Sequence, residues 1–252
     1  MEYMRILVTT PTGNIGRRVL AELLAPEFSV RVVARDPARL PQKIQAQVEV
    51  VHGSTDDAAA LRRALDGVEA LFWSVPGAPL GEVNAQAHYE RFAMAGYRAI
   101  RKAGTPRVVT ISAAGNVSTR DAGPLSGLRA MEEILNQSGA AIRHLRCGWF
   151  TETFPRQERS ICGQGLFWNS IPTQVAASTA ALNEIADVAL RWLVRRDWAG
   201  IESVRVYVPG DVCFNQASFV TEGTLESPVW YTEPSAHNRG NAFPECWACG
   251  EI

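Results

Sequence analysis

A glycine-containing turn near the start of the chain has the spacing of a phosphate-binding loop. It follows the apolar run that opens RILVTTPTGNIGRRVL at residues 5–20. Gly13 and Gly16 stand where the backbone must approach a pyrophosphate and where a helix must pack closely on a strand. The start of the next helix would favour an anion. This spacing predicts a site for a phosphorylated ligand such as a dinucleotide.

Thr10 departs from the pattern, because it occupies the position of the first glycine and precedes Pro11. A β-branched residue is strained at positive φ, and the proline pushes residue 10 toward extended geometry. We therefore expect a reshaped turn. Strain of about 1–3 kcal/mol would weaken a nucleotide site by roughly 5- to 150-fold without removing it.

An arginine ends the second predicted strand, SVRVVAR at residues 29–35. An acidic residue at this point binds a ribose 2′-hydroxyl, whereas the guanidinium of Arg35 suits a 2′-phosphate. Asp36 could instead accept from a ribose, and Arg39 could add a second positive contact. An ordinary solvated charge is the plain alternative for Arg35. The sequence therefore predicts NADPH in preference to NADH.

Three further side chains are candidates for substrate chemistry. Ser112 ends the predicted strand 107–112 and could orient a carbonyl, or it could satisfy the local backbone. Trp149 and Phe150 could stack on a planar substrate, or they could be core residues. The pair Cys246 and Cys249 lacks the further ligands that zinc needs, so no metal site is predicted.

Alternating strands and helices must position these residues. Apolar runs predict strands near 5–10, 29–35, 48–53, 70–76, 107–112 and 141–148, with helical spacing at 14–25, 56–67, 84–104, 126–139 and 182–196. This alternation predicts an α/β fold with a doubly wound parallel sheet in the order 3-2-1-4-5-6. Ligands of such sheets bind beyond the carboxyl ends of the strands.

The rhythm loosens after Gly148, which suggests a division of the chain. We expect a dinucleotide-binding domain at 1–147 and a small substrate lobe at 148–234, from which a strand at 203–210 returns to the sheet region. A short helix at 215–227 and a loosely ordered tail at 235–252 complete the interpretation.

Composition excludes several classes of function. The net charge of −1 and the pI of about 6.4 do not suggest a nucleic-acid-binding protein. No apolar run is long enough to span a membrane, and no signal peptide is predicted. The five scattered cysteines favour a reduced, cytoplasmic setting. The expected partner is a small-molecule substrate, and the sequence gives no oligomeric state.

Several segments, in order and spacing, resemble the NmrA-like group of atypical short-chain dehydrogenases/reductases, whose domain is Rossmann-like. They are VTTPTGNIGRRVL, VRVVARDPARL, VEVVHGSTDD, ALFWSVP, RVVTISAAG, EEILNQSGAAIRHLRCGWFTETF and IADVALRWL. The resemblance covers roughly residues 4–231. It implies NADP binding through the loop residues Thr10, Thr12, Gly13, Asn14, Ile15 and Gly16, through Arg35, and through Ser74, Val75 and Pro76. It also implies that Ser112 lies near the nicotinamide and that Gly148, Trp149 and Phe150 line the nicotinamide and the substrate.

Departures from the family pattern bear on the chemistry. Leu128 stands where many members carry a Lys or His, and Cys147 replaces the proline of an Arg-Pro-Gly turn. The Tyr-x-x-x-Lys pair of ordinary short-chain dehydrogenases is absent. We expect an NADPH-dependent reductase of a small aromatic, quinone-like or conjugated molecule. The alternatives are a dinucleotide-sensing regulator without turnover and a non-redox cyclase, isomerase or transfer enzyme.

Overall fold

The structure is a computed structural model that describes residues 3–79, 84–104, 107–114, 123–153, 157–164, 166–168, 176–208, 212–213 and 230–232. Its strands, in chain order, are β1 (Met4–Val8), β2 (Phe28–Ala34), β3 (Glu49–His52), β4 (Ala70–Trp73), β5 (Arg107–Ala113), β6 (Ala141–Cys147), β7 (Trp149–Phe150), β8 (Leu166–Trp168), β9 (Ala176–Ala177), β10 (Thr179–Ala180), β11 (Ile201–Val206), β12 (Val212–Cys213) and β13 (Trp230–Thr232).

Seven strands form one parallel sheet in the order β3-β2-β1-β4-β5-β6-β11. This confirms the predicted Rossmann-like order 3-2-1-4-5-6. The strand expected at 203–210 lies at Ile201–Val206 and extends the sheet beyond β6. The short strands pair as β7 with β10, β9 with β12 and β8 with β13.

Helices cover both faces of the sheet. They are α1 (Gly16–Glu22), α2 (Gln42–Gln45), α3 (Ala58–Ala64), α4 (Ala85–Ala103), α5 (Pro124–Asn136), α6 (Glu158–Gln164) and α7 (Leu182–Val194). α1 and α7 pack together on one face, whereas α3, α4 and α5 pack on the other. No helix in the described ranges is both long enough and apolar enough to cross a membrane.

The long helix α4 follows from its sequence. The Asn84 side chain accepts from the Ala87 N–H at 2.9 Å, which caps the start of the helix. Gly104 ends it in the left-handed conformation with φ of 65°, as the sequence predicts. A Cβ atom on Gly96 would lie 2.7 Å from the Trp73 ring, so the glycine is what lets this helix approach β4.

Some predicted boundaries were wrong for identifiable reasons. The strand expected at 70–76 ends at Trp73, because the Ser74 N–H donates to the Thr9 side chain at 3.0 Å instead of to a neighbouring strand. The short helices α2 and α6 were not predicted. The helix expected at 215–227 and the tail expected at 235–252 lie outside the described residues.

Candidate functional site

A cavity of about 320 Å³ opens at the carboxyl ends of β1 and β2. Its lining residues are Thr9, Thr10, Pro11, Thr12, Val33, Ala34, Arg35, Asp36, Arg39, Gly53, Thr55 and Pro76. Four of the predicted cofactor residues are therefore among its walls. This is the edge at which doubly wound sheets bind their ligands.

The loop between β1 and α1 is tightly packed against the helix that follows it. The Gly13 N–H donates to the Thr10 carbonyl at 3.1 Å, and the Arg17 N–H donates to the Gly13 carbonyl at 2.9 Å. A Cβ atom on Gly16 would lie 1.8 Å from the Thr10 carbonyl oxygen. Only glycine fits there, which agrees with the close-packing role that its spacing predicts.

The other predicted loop residues differ in their surroundings. Ile15 is fully buried in the core, so its side chain anchors the loop. Thr12 and Asn14 are half-buried. The Thr10 side chain is 7% exposed, and its Oγ1 is buried without a hydrogen-bond partner among the described residues. A buried unpaired hydroxyl is costly, which makes Thr10 the least satisfied member of the loop.

Thr9, which was not predicted from the sequence, connects this loop by hydrogen bonds to the residue that follows β4. Thr9 Oγ1 accepts from the Ser74 N–H at 3.0 Å and lies 3.0 Å from the Ser74 carbonyl, to which its hydroxyl can donate. The contact holds Ser74, Val75 and the cavity-lining Pro76 beside the end of β1. Ser74 and Val75 are themselves buried.

Two exposed side chains of opposite charge, Arg35 and Asp36, follow the end of β2. Arg35 is exposed, lines the cavity and makes no hydrogen bond or ion pair within the described part of the chain. The Asp36 carboxylate accepts from the Ala38 N–H at 3.1 Å and caps a short 3₁₀ turn, Pro37–Arg39. Asp36 is thus engaged with its own backbone, which favours the 2′-phosphate interpretation of Arg35 over a ribose contact by Asp36.

The ends of β5 and β6 carry charges that are paired with one another. Glu132 of α5 accepts from Arg146 Nε at 3.1 Å and Nη2 at 2.5 Å, and from Arg129 Nη1 at 3.1 Å. Burial raises the pKa of the Glu132 carboxyl, but the side chains of Arg146 and Ser112, with the charges of His144 and Arg129, leave this pKa below its usual value. Glu132 is therefore a carboxylate at neutral pH.

Ser112 lies in this same region, opposite Arg146 in the pairing of β5 with β6. Its side chain is 3% exposed, and its buried Oγ atom makes no hydrogen bond of regular geometry among the described residues, although the hydroxyl is near enough to the Glu132 carboxyl to lower its pKa. Leu128 is half-buried and packs against the apolar core beneath α5. Neither side chain presents an exposed acidic group at this edge.

A buried histidine completes the polar layer under α5. His144 Nδ1 lies 2.8 Å from Thr110 Oγ1, and Nε2 lies 2.8 Å from Asn136 Oδ1. Burial lowers the pKa of His144 to about 4, so the ring is neutral at physiological pH. On the opposite face of the sheet, burial raises the pKa of the Cys147 thiol to about 12.

Trp149 and Phe150 form β7, directly after the end of β6. Both side chains are half-buried, and Phe150 packs against the core beneath α1 and α7. A Cβ atom on Gly148 would lie 2.5 Å from the Ser178 carbonyl, so this glycine allows β7 to pair closely with β10. Phe150 thus contacts the core, and both residues remain partly exposed.

No cluster of three potential metal ligands occurs in the part of the chain that the structure describes. The cavity is lined by the Arg35 guanidinium and by Thr10, Pro11 and Thr12 of the loop that Gly16 packs closely against α1.

Comparison with known proteins places the chain in a family. The NAD(P)H-binding family matches residues 11–193, and the chain belongs to this family. The finding confirms the predicted dinucleotide-binding class, and the NmrA-like resemblance is consistent with it.

Individual relatives are more distant. Over 67 residues the chain is 52% identical to a (4-alkanoyl-5-oxo-2,5-dihydrofuran-3-yl)methyl phosphate reductase of Streptomyces griseus, a match that spans 27% of this chain and 23% of that protein. It is 25% identical over 225 residues to quinone oxidoreductase 2 of Escherichia coli K12, which covers 88% of this chain and 74% of that protein. The crystal structure of an NADPH-dependent quinone oxidoreductase of Escherichia coli with NADPH has the same fold, with a TM-score of 0.78 and 22% identity over 96% of this chain and 82% of that one.

Proposed function

We propose that this protein is an NADPH-dependent reductase of a small quinone-like or conjugated molecule. The cofactor part of the proposal rests on Arg35, an unpaired guanidinium at the wall of the cavity beside the glycine loop. NADPH, when bound, supplies a hydride. The loop residues 10–16 would hold its pyrophosphate, Arg35 its 2′-phosphate, and residues 74–76 its ribose.

The substrate class follows from the lack of a proton donor among the described residues at the ends of β5 and β6. Reduction of a ketone needs a positioned acid, which typically contributes about 10²–10⁴-fold to the rate. Glu132 is ionised and held by two arginines, the Ser112 hydroxyl is buried, and Leu128 cannot carry a proton. Within the described residues, this edge offers no acid for a ketone oxygen.

A conjugated acceptor avoids this requirement. A quinone or an enone accepts the hydride with its electron pair, and the resulting delocalised oxyanion takes its proton from water in a later step. The protein then only has to hold the acceptor in the orientation that receives the hydride. Trp149 and Phe150 are consecutive in β7 and therefore point to opposite faces, so one of the two rings would provide the flat apolar surface that a planar acceptor requires.

Two relatives support this choice of substrate class. One is a quinone oxidoreductase. The other reduces a dihydrofuran that carries oxo and alkanoyl groups, which is a conjugated carbonyl acceptor. A small-molecule acceptor is accordingly the partner that we propose.

The test is NADPH consumption, followed by absorbance, with two matched panels of acceptors. One panel contains quinones and conjugated enones, and the other contains the corresponding saturated ketones. We expect turnover in the first panel and rates lower by at least about 100-fold in the second, which is the contribution of a missing acid.

Each other outcome points elsewhere. Rapid reduction of saturated ketones would refute the assignment of substrate class. Tight NADPH binding without oxidation by any acceptor would favour the dinucleotide-sensing regulator, and the absence of both would favour a non-redox enzyme.

A further inference from the structure

One arginine connects the glycine loop to a helix far away in the sequence. Arg18 Nε donates to Asn183 Oδ1 at 2.6 Å, and Arg18 Nη1 donates to the Asn14 carbonyl at 2.6 Å. Asn14 belongs to the loop between β1 and α1, and Asn183 lies in the first turn of α7. The guanidinium thus holds two oxygen atoms at once in a fixed geometry.

The contact compensates for an irregularity at the start of α1. In a regular helix the Arg18 N–H would donate to the Asn14 carbonyl, four residues earlier. Here the Arg18 N–H donates to the Ile15 carbonyl at 3.0 Å instead. The Arg18 side chain donates to the Asn14 carbonyl in place of the backbone N–H.

The far end of the connection is itself well held. Glu152 Oε1 accepts from the Leu182 N–H at 2.9 Å, and Glu184 Oε2 accepts from the Ala181 N–H at 3.2 Å. α7 also buries its apolar face in the same core as α1. Asn183 therefore offers Arg18 a fixed anchor, and Glu152 connects that anchor to the segment that follows Phe150.

We propose that Arg18, anchored by Asn183, is a positioning residue for the dinucleotide phosphates. A trans peptide points its carbonyl and N–H in opposite directions. Holding the Asn14 carbonyl toward the guanidinium therefore turns the Ile15 N–H away from it, free to donate to an anion. A donor fixed in advance costs less to order when the ligand binds.

This proposal rests on the proposed function, because it concerns the same cofactor. It differs from simple attraction between the positive charge and the phosphates. Arg17 offers the matched control, since it is the adjacent arginine, is exposed and forms no hydrogen bond through its side chain to the described residues. Loss of either arginine changes the net charge equally.

The experiment measures the dissociation constant of NADPH by calorimetry for wild type, Arg18→Met, Arg18→Lys, Asn183→Ala and Arg17→Met. We expect Arg18→Met to weaken binding by about tenfold, as for loss of a charged hydrogen bond. Arg18→Lys stays weak because an ammonium lacks the rigid planar spacing with which Nε and Nη1 bind the two oxygens, and Asn183→Ala weakens binding although every charge remains. Arg17→Met stays within about twofold of wild type.

Adenosine 2′-monophosphate is the second probe, because it lacks the pyrophosphate. Its affinity is expected to be unchanged in every variant, which also shows that the variants fold and keep the rest of the site. The proposal is overturned if Arg18→Lys restores wild-type NADPH affinity, or if Arg17→Met loses as much as Arg18→Met. Failure of the wild type to bind NADPH at all would overturn the proposed function as well, so the two failures are distinguishable.

Discussion

The carboxyl edge of the sheet has an unpaired charge at one end and internally paired charges at the other. Beside β2, Arg35 is exposed at a cavity and makes no ion pair within the described residues. Beside β5 and β6, Glu132 is 4% exposed and is bound by both Arg146 and Arg129. The first arrangement leaves a charge for a ligand, whereas the second satisfies its charges internally. The first arrangement is the one that the proposed phosphate contact requires, and the second leaves no unpaired carboxyl among the described residues at its end of the sheet.

The end of the sheet beside β5 and β6, where the charges are paired internally, is the closed end. Its arrangement follows from the two-residue repeat of the strands. Alternate residues of a strand face opposite sides, so Thr110 and Ser112 of β5 share one face with His144 and Arg146 of β6. The residues between them belong to the apolar layer under α1 and α7. A polar layer buried under α5 is stable only where its groups are paired, which explains the ring of contacts around Glu132 and His144.

The largest expected effect tests whether this end is closed and neutral. The pKa of His144 is about 4 in the folded protein and 6.5 in the unfolded chain. Between these values only the unfolded state takes up the proton, so the stability that is present above pH 6.5 is lost as the pH falls toward 4. The loss is about 3 kcal/mol over that window.

Urea denaturation of wild type and His144→Gln at pH 6.5 and 4.5 measures this loss. The substitution should remove most of the difference between the two pH values, because the titrating group is gone. Glu132, whose pKa is lowered, loses its contribution only at lower pH. His52→Gln, at an exposed position, is the control and should keep the wild-type difference. An unchanged pH dependence in His144→Gln would mean that His144 is not buried as a neutral ring.

The next effect tests the open end of the sheet, beside β2, where Arg35 has no partner among the described residues. Arg35→Met should weaken NADPH binding by about 10- to 100-fold, as expected for loss of a charged hydrogen bond to a phosphate. NADH, which lacks the 2′-phosphate, should bind with unchanged affinity. The measurement is calorimetric titration with both nucleotides.

Asp36→Ala is the matched control for this prediction. Its carboxylate caps the turn at Pro37–Arg39, so the substitution should cost stability of about 1 kcal/mol and leave the preference for NADPH unchanged. Weaker NADH binding in Asp36→Ala would show that Asp36 contacts the ribose. Equal affinity of the wild type for NADPH and NADH would contradict the role of Arg35.

The sequence was a good guide wherever the information was local. Short apolar runs between helical patterns predicted the strands of the sheet, and the glycine spacing predicted the loop whose Gly16 packs against Thr10. Arg35 could be singled out because its position relative to the loop is set by a single strand. In each case neighbouring residues in the chain determine the geometry.

The missed residues depend on partners that are distant in the sequence. Thr9 binds Ser74, Arg146 binds Glu132, and Arg18 binds Asn183 across 165 residues. No periodicity encodes such pairs, because they follow from the register of the strands and from side-chain conformations. The pairing of Ser112 with Arg146 was nevertheless accessible, since it follows once β5 and β6 are placed side by side.

The smallest expected effect concerns Thr10, where the open end is imperfect. Its buried Oγ1 has no partner among the described residues, whereas the adjacent Thr9 is fully bonded to Ser74. Thr10→Gly should tighten NADPH binding by about tenfold, because it removes the unpaired hydroxyl and frees the backbone of the turn. Thr10→Ala separates the two causes, since it removes the hydroxyl but keeps a Cβ atom. A gain in both variants identifies the hydroxyl as the limiting group, and a gain in the glycine variant alone identifies the backbone. If neither folded variant binds NADPH more tightly, residue 10, where the first glycine is missing, does not limit binding. The affinity of this end of the sheet then depends on the Arg35 charge and not on the loop.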